Sequence, residues 1–201
     1  MRKQQMIKRG IDIVMSIILL LILSIPMGIL YIVLMIHFKG NPIFTSIRAK
    51  YHGEGFVIYK FKTMHNLLDA NKEPLPDNKR ITTFGHWIRR WSLDELPQLI
   101  NVLKGDMSLI GPRPLLLEYN DLYTKEEHKR LDMKPGMTGW AQVNGRNSLD
   151  WKTKFQMDIL YVTKYSLLFD LKIMLLTIKV LFKREGINQD GYISAERYRN
   201  R

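Results

Sequence analysis

Cysteine is absent from the 201-residue chain, which excludes disulfides, thiolate catalysis and cysteine-ligated metals and agrees with a cytoplasmic setting. No P-loop, dinucleotide-binding glycine pattern, HExxH or GxSxG motif occurs, so the usual support for NTP hydrolysis, dehydrogenation, zinc proteolysis or serine hydrolysis is missing. The five histidines, His37, His52, His65, His86 and His128, lack metal-ligand spacing and read as structural or solvated. No internal repeat or low-complexity tract is present. Acidic residues are few: 19 Asp and Glu against 31 Lys and Arg, for a net charge of +12. Partners of such a chain are expected to be anionic, whether nucleic acid, acidic lipid headgroups or phosphorylated substrates.

The apolar residues narrow that choice. From Ile13 to Ile36 the chain carries 24 residues without a formal charge, roughly 36 Å as a straight helix and enough to cross a bilayer. Ser24 and Pro26 interrupt the middle, where proline removes a backbone donor and crowds the preceding turn. Arg2, Lys3, Lys8 and Arg9 precede the run and Lys39, Arg48 and Lys50 follow it, so neither end is marked as the outside. A helix that enters, breaks at Ser24 to Pro26 and returns to the same face satisfies both observations; a kinked single span is the alternative. Leu167 to Arg184 is a second lipid-facing candidate. Lys172, Lys179 and Lys183 fall near one side of a broad apolar helix, as in a helix lying in the headgroup plane, although a buried core helix has a similar pattern.

Between these segments, Asn41 to Arg48 and Phe56 to Met64 read as two strands joined by the Gly53-Glu54-Gly55 turn. His65 to Arg80 reads as a surface loop containing Pro74 and Pro76. Helices are expected at Ser92 to Lys104, Glu118 to Leu131, Ser148 to Val162 and Leu167 to Lys183. The fold class is α+β: a mostly helical, membrane-associated domain with an N-terminal re-entrant hairpin, a short β-hairpin and interfacial amphipathic helices. The expected units are a re-entrant membrane segment with its basic flank over residues 1–38, a catalytic domain over 39–184 and a polar tail over 185–201.

Chemistry is concentrated between Arg89 and Pro114. Asp94 and Glu95 are adjacent, Arg89 and Arg90 lie just before them, and a Gly-Pro-Arg-Pro turn follows. An aspartate already ionised at neutral pH can attack phosphorus without a helper base. Its electrophile is also negative, however, and two unit charges at ~4 Å repel by roughly 1 kcal/mol in water and about 4 in a partly dry site. Arginines, and a metal held by the second carboxylate, would offset that repulsion. The same residues also read as a capping box, Ser92 with Glu95, opening a helix. Downstream, prolines on both sides of Arg113 stiffen it for phosphate contact. Lys134 to Arg146 has the composition of a binding loop. Lys60 and Lys62 share a strand face and could equally be solvated edge charges.

Four stretches, KFKTM (Lys60 to Met64), SLDELPQ (Ser92 to Gln98), NVLKGDMSLIGPRP (Asn101 to Pro114) and PGMTGWAQVNGR (Pro135 to Arg146), occur in this order. Together they resemble the bacterial sugar transferases that initiate glycan assembly, and more narrowly the small monotopic phosphoglycosyl transferases. The resemblance implies transfer of a sugar phosphate from a UDP-sugar to polyprenyl phosphate, with release of UMP, at the cytoplasmic face of the bacterial inner membrane. It implies that Asp94 is the nucleophile forming a covalent phosphosugar, with Glu95 its partner at a Mg2+ ion that Asp94 also approaches. Lys60, Arg89, Arg113, Arg146 and Asp158 match conserved polar positions around the substrate phosphates and nucleotide. The family's re-entrant helix breaks at an adjacent Ser-Pro pair, whereas here Ile25 separates Ser24 from Pro26. Membrane lipid and downstream glycosyltransferases are the further partners implied, with no nucleic acid. Two rivals differ in readout. A glycosyltransferase moving only the sugar would release a nucleoside diphosphate, and a non-enzymatic basic module would bind anionic lipid or nucleic acid regardless of Asp94.

Overall fold

The computed structural model describes residues 2–145, 148–183 and 198. The apolar run lies within one α-helix, α1 (Arg2–Phe38). Among the described residues it is the helix long and apolar enough to cross a membrane, with a mean hydropathy of 2.9 over its apolar 18-residue stretch. The helix continues through Ser24 and Pro26, so the expected helix-break-helix interruption is absent. Two residues before the proline, the Ser24 hydroxyl donates to the Leu21 carbonyl at 2.8 Å, a back-bond associated with helix bending.

Both ends of α1 dock on the rest of the protein. Near the first end, Lys8 pairs with Asp170 at 2.8 Å. Arg9 donates to the carbonyls of Val102 and Leu103 at 2.6 and 2.8 Å, and Asp12 accepts from the Ser108 hydroxyl and the Leu109 amide at 3.0 Å each. Near the second end, Leu34 is buried against Phe61 and Ile88. Between them Leu21, Ile22, Ile25 and Ile29 remain exposed.

Strands β1 (Ile43–Ala49) and β2 (Gly55–Phe61) form the expected antiparallel hairpin, each shorter than its sequence pattern suggests. They are joined through a 3-10 turn at Tyr51–Gly53 that starts ahead of the expected glycine turn. Directly opposed residues share a face of the ribbon, so Phe44, Ser46 and Arg48 lie on the side of Lys60, Ile58 and Phe56. After the irregular stretch come one helical turn, α2 (Asp77–Arg80), and a helix that the patterning does not predict, α3 (Thr83–Arg90). Thr82 caps α3 by accepting from the Gly85 amide at 2.8 Å.

The helix expected over Ser92 to Lys104 divides into a 3-10 turn, Leu93–Glu95, and α4 (Gln98–Lys104). Gly105 ends α4 with a left-handed φ of 89°, which lets its amide reach the Asn101 and Val102 carbonyls. A pairing absent from the sequence reading follows: β3 (Ser108–Ile110) runs parallel to β4 (Gly136–Thr138). The helix expected over Glu118 to Leu131 is instead two 3-10 stretches, Leu117–Leu122 and Glu127–Asp132. Between them Thr124 and Glu127 exchange reciprocal capping bonds at 2.8 and 3.2 Å, which start the second stretch afresh.

Helices α5 (Trp140–Val143), α6 (Trp151–Thr163) and α7 (Leu167–Lys183) follow. Helix α6 begins beyond the expected Ser148, where Asp150 accepts from the Thr153 amide at 2.7 Å. Helix α7 buries Ile173 and leaves Leu168, Leu171, Leu175 and Ile178 exposed, so its core contact and its free apolar face lie on different sides. The architecture is α+β and mostly helical. Of the tail expected over 185–201, only Tyr198 falls among the described residues, and it packs on Tyr119 and Phe155.

Candidate active site

Asp94 and Glu95 occupy the 3-10 turn that follows Ser92, whose φ of 55° is left-handed. A non-glycine residue in that region costs roughly 1 kcal/mol or more and persists where surrounding structure enforces it. The conformation also disposes of the capping box, because the Ser92 side chain makes no cap bond and the Glu95 carboxylate is engaged elsewhere. Its Oε1 accepts from Lys60 Nζ at 2.6 Å and from Arg113 Nη2 at 3.1 Å. Lys60 is therefore ion-paired with Glu95 rather than a solvated edge charge.

The two carboxylates are driven in opposite directions. Burial pushes Glu95 up, but the Lys60 ammonium and the Arg113 guanidinium outweigh it and hold the carboxyl well below the usual range. Burial also pushes Asp94 up, with Glu95 adding to the effect, and the cations Lys60, Arg89 and Arg113 recover only part of the shift. Glu95 is the fixed anion of the pair, and Asp94 is the less stabilised, more basic oxygen donor. That difference suits a nucleophile beside an electrostatic partner.

Helix α3 carries Arg89 to Asp94, and Arg89 Nε donates to Thr63 Oγ1 at 2.8 Å. Burial lowers its pKa while the charge of Asp94 raises it. Arg113 is held from behind. Arg130 Nη2 donates to the Arg113 carbonyl at 2.6 Å, and the same guanidinium pairs with Asp158 at 2.9 Å. Asp158 is 3% exposed; it lines the cleft, and its bond to Arg130 links it to the Arg113 backbone. Arg146 lies outside the described residues. Gly111 and Gly136 show why the two glycine-bearing motifs meet, since a Cβ on either would run into the backbone of the other.

Arg48, which no sequence motif singles out, joins these charges at the cleft. It stands on the Lys60 face of the ribbon, and its electrostatic neighbours include Arg113 and Glu95. Arg48 meets this region through a backbone bridge to Leu116, a contact between segments distant in sequence.

Arg48, Lys60, Arg89, Asp94, Glu95, Arg113, Arg130 and Asp158 line one cleft of about 1640 Å³. Its polar side holds Lys60, Asp94, Glu95 and Arg113, and its apolar side includes Leu19 and Leu23 of α1 and Leu171 and Met174 of α7. Among the described residues no group of three or more His, Cys, Asp or Glu is arranged to enclose a metal. The oxygen donors at the centre are the carboxylates of Asp94 and Glu95.

The family description "Bacterial sugar transferase" matches residues 3–184. An uncharacterized sugar transferase of Bacillus subtilis, EpsL, is 46% identical over 96% of this chain and 95% of its own length. The undecaprenyl-phosphate galactose phosphotransferase of Salmonella typhimurium is 40% identical over 92% of this chain. The UDP-glucose:undecaprenyl-phosphate glucose-1-phosphate transferase of Escherichia coli is 36% identical over 87% of it. The matches cover only 42% and 40%, respectively, of those two longer proteins. With a family match along nearly its whole length and a relative of equal extent, the chain belongs to the bacterial sugar transferase family.

Proposed function

We propose that the protein transfers a sugar 1-phosphate from a UDP-sugar to polyprenyl phosphate, releasing UMP, through a covalent phosphosugar on Asp94. One observation carries this reading: a carboxylate dyad, with Asp94 buried, Glu95 half-buried and cations around both, opens on a cleft whose far walls are apolar helices with lipid-compatible outer faces. A polar nucleotide sugar and a lipid phosphate can reach the same atom there. The names of the Salmonella and Escherichia relatives supply the substrate classes.

In the first half-reaction, an Asp94 oxygen attacks the phosphorus that carries the sugar. The bond from that phosphorus to the bridging oxygen breaks, and UMP leaves with the electron pair. In the second, an oxygen of polyprenyl phosphate attacks the same phosphorus and expels the Asp94 carboxylate, giving polyprenyl-diphosphate sugar. Lys60, Arg89 and Arg113 offset the charge of the donor, while Glu95 keeps Lys60 and Arg113 beside the nucleophile.

A magnesium ion fits this donor set. Magnesium commonly takes one or two carboxylates and completes its shell with substrate phosphates and water, so Asp94 and Glu95 suffice without an enclosing protein cage. Bound there, it would screen the diphosphate and stabilise charge on the departing oxygen.

The cleft has to lie at headgroup depth. In our reading α1 dips into the bilayer and returns to the same face as a single helix bent near Ser24 and Pro26, because Lys8 and Asp12 at one end and Leu34 at the other dock on one body while Leu21, Ile22, Ile25 and Ile29 are exposed. Exposed Trp87, stacked on Phe84, suits the interface, as does the outer face of α7. The membrane is the bacterial inner membrane and the site faces the cytoplasm, where nucleotide sugars are made. The test is a panel of UDP-sugars offered with polyprenyl phosphate and magnesium to detergent-solubilised protein. Release of UMP with one or more donors is expected; release of UDP would replace this reaction with simple glycosyl transfer.

A further inference from the structure

Arg48 is a charged group at the cleft that the proposed chemistry leaves without a task. Its backbone is fixed on two sides, opposite Phe56 in β2 and bridged to Leu116 just after the Gly-Pro-Arg-Pro turn, and the neighbouring Ala49 amide donates to the Leu115 carbonyl at 3.0 Å. That anchoring brings the strand beside Arg113. The Arg48 side chain lines the same cleft as Lys60, Glu95 and Arg113. Its Nε is buried without a hydrogen-bond partner, and among the described residues it forms no ion pair, since Glu95 Oε1 is already shared by Lys60 and Arg113.

A guanidinium held next to another guanidinium with no carboxylate of its own is unfavourable unless an anion completes the site. Burial lowers the Arg48 pKa, and the neighbouring charge of Arg113 lowers it further. The order of groups indicates which anion is missing. Arg89, which is drawn chiefly to Asp94, bonds Thr63 beyond the Lys60 end of β2, whereas Arg48 stands opposite Phe56 at the other end of the ribbon and bridges to Leu116 after the Arg113 turn. Arg89 therefore stands on the nucleophile's side of the dyad and Arg48 on the opposite side. A diphosphate with one phosphorus at Asp94 must extend its other phosphate away from the nucleophile, since the bond that breaks lies between the two.

We propose that Arg48 binds the leaving phosphate of the donor, the one that departs in the nucleoside monophosphate, with Arg113 on its other flank. This rests on the transfer reaction proposed above. The same guanidinium chemistry would also accept the phosphate of the lipid acceptor, and the experiment separates the two sources.

Two measurements test it. In wild-type protein, arginine modification by phenylglyoxal is mapped by peptide mass spectrometry with UMP, with polyprenyl phosphate, or with neither. UMP is expected to protect Arg48 and polyprenyl phosphate is not; equal modification in the presence and absence of UMP, or protection by the lipid alone, overturns the assignment. In Arg48→Gln, loss of a charge-assisted hydrogen bond should raise the donor KM and the inhibition constant for UMP by about tenfold or more. Discharge of preformed phosphosugar-enzyme to polyprenyl phosphate should keep its wild-type rate. Arg48→Lys, which keeps the charge, should recover part of the loss. Equal slowing of both half-reactions, or an unchanged UMP constant, contradicts the proposal. A wild-type protein that releases no nucleoside monophosphate removes the transfer reaction itself, whereas release with Arg48 unprotected by UMP removes this assignment alone.

Discussion

Asp158→Leu should separate holding the site together from touching the substrate. The Arg130 and Asp158 side chains are 2% and 4% exposed, and their ion pair is 2.9 Å long. Arg130 also donates to the Tyr123 hydroxyl at 3.3 Å and to the Arg113 carbonyl at 2.6 Å. Replacing Asp158 by leucine leaves the guanidinium buried without its anion, a change that typically costs about 3–5 kcal/mol. For a chain of this length each kcal/mol moves the midpoint by about 2–4 °C, so thermal unfolding should fall by about 10 °C. Adding Arg130→Met removes the stranded charge and should restore most of that loss, because apolar replacement of a whole buried pair is often neutral. Activity should not return with stability, since the Arg113 carbonyl has lost its donor. The assay is thermal unfolding in detergent alongside UMP release. A single variant melting within about 2 °C of wild type, or a double variant no more stable than the single, would refute the reasoning.

Two further outcomes follow from the opposed carboxylates. Asp94 has a raised pKa in the fold, so between its ordinary and raised values the native state holds more protons than the unfolded one, and stability falls as pH rises through that window. Asp94→Asn should therefore melt higher than wild type at neutral pH, with the gap closing in acid, while transfer is lost; a lower neutral melting point would contradict the sign. Glu95 has a depressed pKa, so its contribution is present above the ordinary carboxylate value and is lost as pH falls through the folded one. Lys60→Met, which removes the 2.6 Å partner, should cost about 1–3 kcal/mol and move acid unfolding to higher pH. Arg113→Ala, at a side chain 46% exposed, should cost under about 1 kcal/mol and be felt mainly in activity; urea titrations across pH distinguish the two.

The parts of the site legible in the sequence were those encoded locally. Asp94 and Glu95 are neighbours, and Arg113 is stiffened by the prolines beside it. The bounds of α7 follow from a periodic apolar pattern that stays uninterrupted. What escaped was set by distant contacts or by competing local choices. The Ser92-to-Glu95 spacing suggested a capping box, yet Lys60 and Arg113 capture the Glu95 carboxylate and Ser92 turns left-handed. The real box lies at Thr124 and Glu127, inside a segment that read as one continuous helix. Strands β3 and β4 each have three residues, too few for an alternating pattern to register. Pro26 marked a break, but a single missing donor leaves the surrounding helical bonds in place and α1 runs on. Arg48 and the Arg130 link to Asp158 depend on tertiary packing that no local motif announces.

The most direct test is intact-protein and peptide mass spectrometry of the enzyme incubated with its UDP-sugar in the absence of lipid acceptor. A sugar-phosphate adduct should appear on the peptide containing Asp94, disappear when polyprenyl phosphate is added, and never form in Asp94→Asn. An unmodified Asp94 in an enzyme that goes on releasing UMP at full rate would contradict the account.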